Sequence, residues 1–167
     1  MATTTAAGTD TARIRPSKST GFLSWVATTD HKRIGILYFW TVLVFFFIGG
    51  VESSLIRAQL AQAELSVLTA EIYNQMFTMH GITMVFLVVM PFAAAFFNYL
   101  LPLMIGARDV AFPRLNAFSY WFYLFGGIFL YSSFFLGGAP NGSWVGYAPL
   151  STNAVSNMAF YAVGLQI

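Results

Sequence analysis

Residues 34–51, 81–106 and 115–138 contain no charged side chain, and a bilayer is the setting that accepts such runs. A helix needs about 20 apolar residues to cross the hydrocarbon. The first run reaches that length with its flanks, and the other two exceed it. Helices are the state expected, because an open strand edge in lipid leaves backbone groups unpaired. A fourth apolar run, 154–167, is short of a crossing. The chain is 57% apolar and 18% aromatic but only 8% charged, whereas a soluble domain carries about 25% charged residues. The sequence predicts an all-α integral membrane protein, a transmembrane helix bundle. Its three full spans fall at about 32–57, 73–105 and 115–138, with the start of a fourth at 154–167.

The basic residues set an orientation. Arg13, Arg15, Lys18, Lys32 and Arg33 precede the first run, Arg108 and Arg114 lie between the second and third, and Arg57 alone falls on the other side. Positive charge is retained inside, so the N-terminus is expected in the cytoplasm. Residues 1–28 read as a polar cytoplasmic tail without the apolar centre of a secretory signal. Glu64 and Glu71 then face outward in the loop 58–71, and a second outer loop, 139–153, is rich in Gly, Pro, Ser and Asn. The formal charge of +2 is too small to suggest nucleic acid as a partner, and without cysteine there is neither a disulfide nor a thiolate metal site.

His80 stands at the head of the second run. An ionisable side chain there is expensive and functional by default. It reads either as a packing histidine bonded to a helix carbonyl or as an axial ligand, and its position does not separate haem from chlorophyll. Gly81 beside it leaves room for a flat macrocycle. Arg57 follows Glu52 by one helical turn and a little more. It either snorkels to the headgroups or donates to a buried acceptor on a bound group. Asn98, Asp109 and Asn116 read as interhelical glue and a loop acid, or as the lining of a hydrated path. Tyr73 and Trp144 fall where interfacial aromatics are expected. His31, among Asp30, Lys32 and Arg33, reads as a solvated interfacial residue.

Longer motifs narrow these choices. The run from Asp30 to Gly35 (Asp-His-Lys-Arg-Ile-Gly), Leu55-Ile56-Arg57-Ala58, and Tyr73-Asn74-Gln75 leading into Met79-His80-Gly81 resemble subunit I of the haem–copper oxidases. So does the unbroken stretch 98–116, NYLLPLMIGARDVAFPRLN. The likeness is strongest to bacterial aa3-type cytochrome c oxidases and runs from about Thr29 to the last residue. It implies the N-terminal part of a twelve-span catalytic subunit in a bacterial plasma membrane. Such an enzyme carries electrons from cytochrome c through haem a to a haem a3–copper B centre, reduces oxygen to water and pumps protons. By the resemblance His80 is one axial ligand of haem a, and Arg57 bonds the haem a formyl group. Tyr73 and Trp144 lie near the propionates. Asp109 opens a proton pathway whose water chain Asn98 and Asn116 hold. The second haem a histidine, the haem a3 ligand and the copper ligands match nothing in this chain, so catalysis needs the remainder of subunit I, with subunits II and III. Gln59 stands where many relatives carry a glutamate near an outer cation site.

Two rival readings compete with this one. Quinol oxidases of the superfamily bear an Arg, an acid, a His and a Gln around a quinone; the corresponding residues here are Ile48, Glu52, Ile72 and Gln75. The basic pair is missing, which favours cytochrome c as donor. The other rival is a non-catalytic stub or a pigment-binding membrane protein.

Overall fold

The computed structural model describes residues 21–61, 67–152 and 158–166. Glu64, the tail before residue 21 and the first positions of the fourth run lie outside them. Among the described residues six α-helices come in order: α1, Leu23–Val26; α2, His31–Gln59; α3, Ala70–Ile82; α4, Met90–Met104; α5, Pro113–Ser132; and α6, Met158–Gln166. A π-helical segment, Thr83–Val89, joins α3 to α4 without a break. No strand occurs among the described residues.

Several helix ends have a local reason. Asp30 caps α2, its Oδ1 accepting from the Lys32 amide at 3.0 Å. Thr69 caps α3 by accepting from the Ile72 amide at 3.3 Å, with Glu71 in the first turn. α4 ends where Gly106 adopts φ +71°, a left-handed turn that costs glycine little. Pro113 opens α5, where its missing N–H is no loss.

α2 has 29 residues, about 43 Å at 1.5 Å each, and it packs along the whole α3–π–α4 rod. The two are long and apolar enough to cross a membrane. α5 packs on α2 and α6. One core cluster holds Val42, Phe45, Met79, Ile82, Leu87, Val88 and Leu130, and a second holds Ile34, Tyr38, Ala95 and Tyr120. Many Phe side chains on the outer faces are exposed, among them Phe47, Phe97 and Phe125, as expected where lipid or further protein is the solvent.

The seams also carry hydroxyls. Tyr38 and Ser119 pair at 3.1 Å, and Thr41 and Tyr120 at 3.1 Å; bonds of this kind hold helices together where the hydrophobic effect cannot. Pro91 has no N–H to offer the carbonyl of Leu87, one turn back. The Tyr123 hydroxyl donates to that oxygen at 2.8 Å instead. The π segment sits just before Pro91, where a wider turn relieves the clash of the proline ring with the preceding turn.

Boundaries shift modestly from the sequence expectation: α2 runs on to Gln59 and α3 starts at Ala70. The third apolar run is helical only to Ser132. Its last residues turn, with the Gly138 amide donating to the Ser133 carbonyl at 3.0 Å. His31 is not solvated. It is 1% exposed, and its Nδ1 donates to the Asn98 carbonyl at 2.9 Å. A backbone carbonyl only accepts, so the ring carries its proton on Nδ1.

Candidate functional site

His80 is half-buried in the last turn of α3, and its Nδ1 lies 2.9 Å from the carbonyl oxygen of Gly49 in α2. That carbonyl can only accept, so Nδ1 holds the proton and Nε2 keeps its lone pair. A ring tied through one nitrogen to a backbone carbonyl, with the other free, is how a metal-binding imidazole is held and made more basic. The bond is the one expected of a packing histidine, and the free Nε2 also leaves the ring able to take a metal.

The crossing is close. A Cβ on Gly49 would meet Met84 Sδ at 2.9 Å and Thr83 Cγ2 at 3.3 Å. Gly81 differs from the expectation: a Cβ there would lie 2.8 Å from Cβ and Cγ of Trp144. The space over the Gly81 backbone is taken by Trp144. The loop carrying Trp144 is pinned on both sides. The Ser143 amide donates to Thr78 Oγ1 at 3.0 Å, and the Tyr161 hydroxyl donates to the Trp144 carbonyl at 2.9 Å. Tyr73 is half-buried, two helical turns before His80 and on the same face. Arg57 is exposed, about two turns beyond Gly49 on the face that meets His80. Its exposure leaves its guanidinium available to an acceptor outside this chain.

The residues of the expected hydrated path are placed separately. Asp109 is exposed in the turn after α4, its Oδ1 accepting from the Val110 amide at 2.8 Å. The Asn98 side chain donates to the Ala94 carbonyl of its own helix at 2.9 Å. Asn116 Nδ2 is buried without a protein partner. Ser119 donates to the Asn116 carbonyl at 2.8 Å and pairs with Tyr38, so Asn116, Ser119 and Tyr38 form a polar track into the bundle. Sequence reasoning missed Ser119 and Tyr38; their signal, a serine one turn after Asn116, is weak without the facing helix. It also missed the burial of Glu52, which is 4% exposed and accepts from the Tyr131 hydroxyl at 3.0 Å. Gln59 Oε1 accepts from the Val67 and Leu68 amides at 2.9 and 2.8 Å, tying the end of α2 to the approach to α3. Among the described residues no three His, Cys, Asp or Glu side chains converge.

Fold and site together define a helical membrane protein with a tethered imidazole at the crossing of two bilayer-length helices. Residues 33–167 match the family described as Cytochrome C and Quinol oxidase polypeptide I, and the chain belongs to that family. It is 48% identical over 153 residues to cytochrome c oxidase subunit 1 of Bacillus subtilis, covering 90% of this chain and 25% of that protein. It is 43% identical over 146 residues to quinol oxidase subunit 1 of the same organism, covering 86% and 22%. To the heme-copper oxidase subunit I+III of Aeropyrum pernix it is 49% identical over 140 residues, covering 81% and 17%. The chain thus spans about a quarter or less of the length of these relatives. It is homologous to oxidoreductase subunits of respiratory electron transport, whose family implies haem and copper.

Proposed function

We propose that this chain is the N-terminal part of the catalytic subunit of an aa3-type cytochrome c oxidase, multi-pass in a bacterial plasma membrane. Three spans, α2, the α3–π–α4 rod and α5, cross the bilayer with the N-terminus in the cytoplasm, and α6 begins a fourth. The observation that carries the reading is the Nδ1–H bond of His80 to Gly49, which leaves Nε2 free for iron. When bound, the low-spin haem a supplies a one-electron iron couple. His80 would hold its iron, Arg57 would offer a charge-assisted donor to the ring's carbonyl substituent, and Tyr73 and Trp144 would lie near its propionates. The second axial histidine, the ligand of haem a3 and the copper B site belong to the remainder of subunit I. Subunits II and III and cytochrome c complete the partners.

Asp109, exposed between α4 and α5, collects protons from the cytoplasm. Asn98 and Asn116 hold a water chain, and the buried, unpartnered Nδ2 of Asn116 supports a water there. Ser119 and Tyr38 extend the track. Cytochrome c is favoured over a quinol because Ile48 and Ile72 replace the basic pair, and because the carboxyl of Glu52 accepts from Tyr131 inside the bundle. The test is His80→Ala in the assembled oxidase. It should abolish the low-spin haem a bands of the redox difference spectrum, and an unchanged spectrum would refute the ligand assignment.

A further inference from the structure

A buried polar cluster lies beside the His80–Gly49 bond. Glu52 follows Gly49 by three positions on α2, and Thr83 follows His80 by three positions on the rod, so each continues the face of its partner. Tyr131 of α5 reaches both: its hydroxyl donates to Glu52 Oε1 at 3.0 Å and lies 2.6 Å from Thr83 Oγ1. The tyrosine has a single proton, and the carboxylate takes it, so the threonine hydroxyl donates to the tyrosine oxygen. Thr83 is fully buried and Glu52 nearly so. The Tyr131 ring stacks on Phe45 of α2 at 5.7 Å between centroids, which fixes where its hydroxyl points.

Thr83 is also the first residue of the π segment. A π turn rotates and shifts the later residues of the rod relative to a regular α-helix, so the junction just after His80 needs an external anchor to have one register. The hydroxyl of Tyr131 supplies it, and Glu52 holds the tyrosine. The approach at Gly49 is within 3.3 Å of Thr83 for a hypothetical Cβ, so a small relaxation there transmits directly to the carbonyl that holds His80.

We propose that Glu52, Tyr131 and Thr83 form a three-helix clamp that positions His80, and so sets the reduction potential of the haem it ligates. The proposal rests on the ligand role given to His80 above. A firm Nδ1–H bond makes the imidazole a stronger electron donor and favours the oxidised iron. Loosening the clamp lengthens that bond and favours the reduced iron.

The test is a redox titration of the low-spin haem in the assembled oxidase, with electron paramagnetic resonance of its ferric form, whose g-values report the orientation of the axial imidazole planes. Tyr131→Phe should favour the reduced haem about tenfold, which is ~59 mV for one electron, and should shift the g-values. Glu52→Leu should do the same. Glu52→Gln keeps an oxygen acceptor for Tyr131 and should remain near the native potential. An unaltered potential and g-values in Tyr131→Phe would overturn the clamp. So would a Glu52→Gln shift as large as that of Glu52→Leu, since the carboxyl would then act through charge and not through position. The low-spin haem stays bound in each of these outcomes, whereas failure of the ligand assignment shows in His80→Ala as a haem spectrum that persists.

Discussion

Gly81 is small for the sake of Trp144. A methyl group there would stand 2.8 Å from two atoms of the indole side chain, closer than real Cβ atoms come to a neighbour. Gly81→Ala must therefore push Trp144 outward or part the loop from α3, although Ser143 and Tyr161 hold that loop in place. Overpacking of this kind costs about 1–3 kcal/mol. The expected result is a lower unfolding midpoint in detergent with altered tryptophan emission; an unshifted midpoint and emission would mean the loop yields freely. Asp109 is exposed and its Oδ1 accepts from its own neighbour's amide, at 2.8 Å, so its carboxylate can change without disturbing the fold. Asp109→Asn should slow turnover and proton uptake in the assembled oxidase while both haem spectra stay native. Uptake at the native rate would remove Asp109 from the pathway.

The α3–π–α4 rod depends on a donor from another helix. Tyr123 supplies the hydrogen bond that Pro91 denies to Leu87, and in lipid there is no water to replace it. Tyr123→Phe should cost about 1–3 kcal/mol, the range for a buried acceptor left unpaired, read as earlier unfolding in a denaturing detergent. Adding Pro91→Ala restores a backbone N–H and should recover part of that loss; a double variant no better than Tyr123→Phe would show that the carbonyl is not what Tyr123 serves. Much of this architecture is legible in the sequence. The uncharged runs mark α2, the rod and α5 because charged side chains are costly in lipid, and His80 stands out because an imidazole is costly there too. The π segment is not legible: Thr83–Val89 is as apolar as its flanks, and the proline that requires it accounts for one carbonyl only. His31 misleads because its sequence neighbours are charged, while the group that buries it, the Asn98 carbonyl, lies 67 residues away. Glu52 and Tyr131, 79 residues apart, are invisible as a pair for the same reason.

Orientation and ligation are properties of the whole chain. With no cysteine in the sequence, single cysteines report sidedness cleanly. Lys32→Cys and Arg108→Cys should react with an impermeant maleimide only after the cytoplasmic face is opened. Ala61→Cys and Tyr147→Cys, both exposed beyond the far ends of the spans, should react in intact cells. Reversed labelling would invert the assignment and move His80 to the inner half of the membrane. The two histidines cannot serve one iron in either orientation. His31 begins α2, and His80 is fixed to that helix at Gly49, five turns on and about 27 Å along the axis, whereas two axial nitrogens must both sit within bonding distance of the same metal. The chain expressed by itself and supplied with haem should therefore show no six-coordinate bis-imidazole spectrum at dilutions where it is monomeric. Such a spectrum from the monomer would demand that α2 break between His31 and Gly49, because an intact α2 keeps the two imidazoles five turns apart.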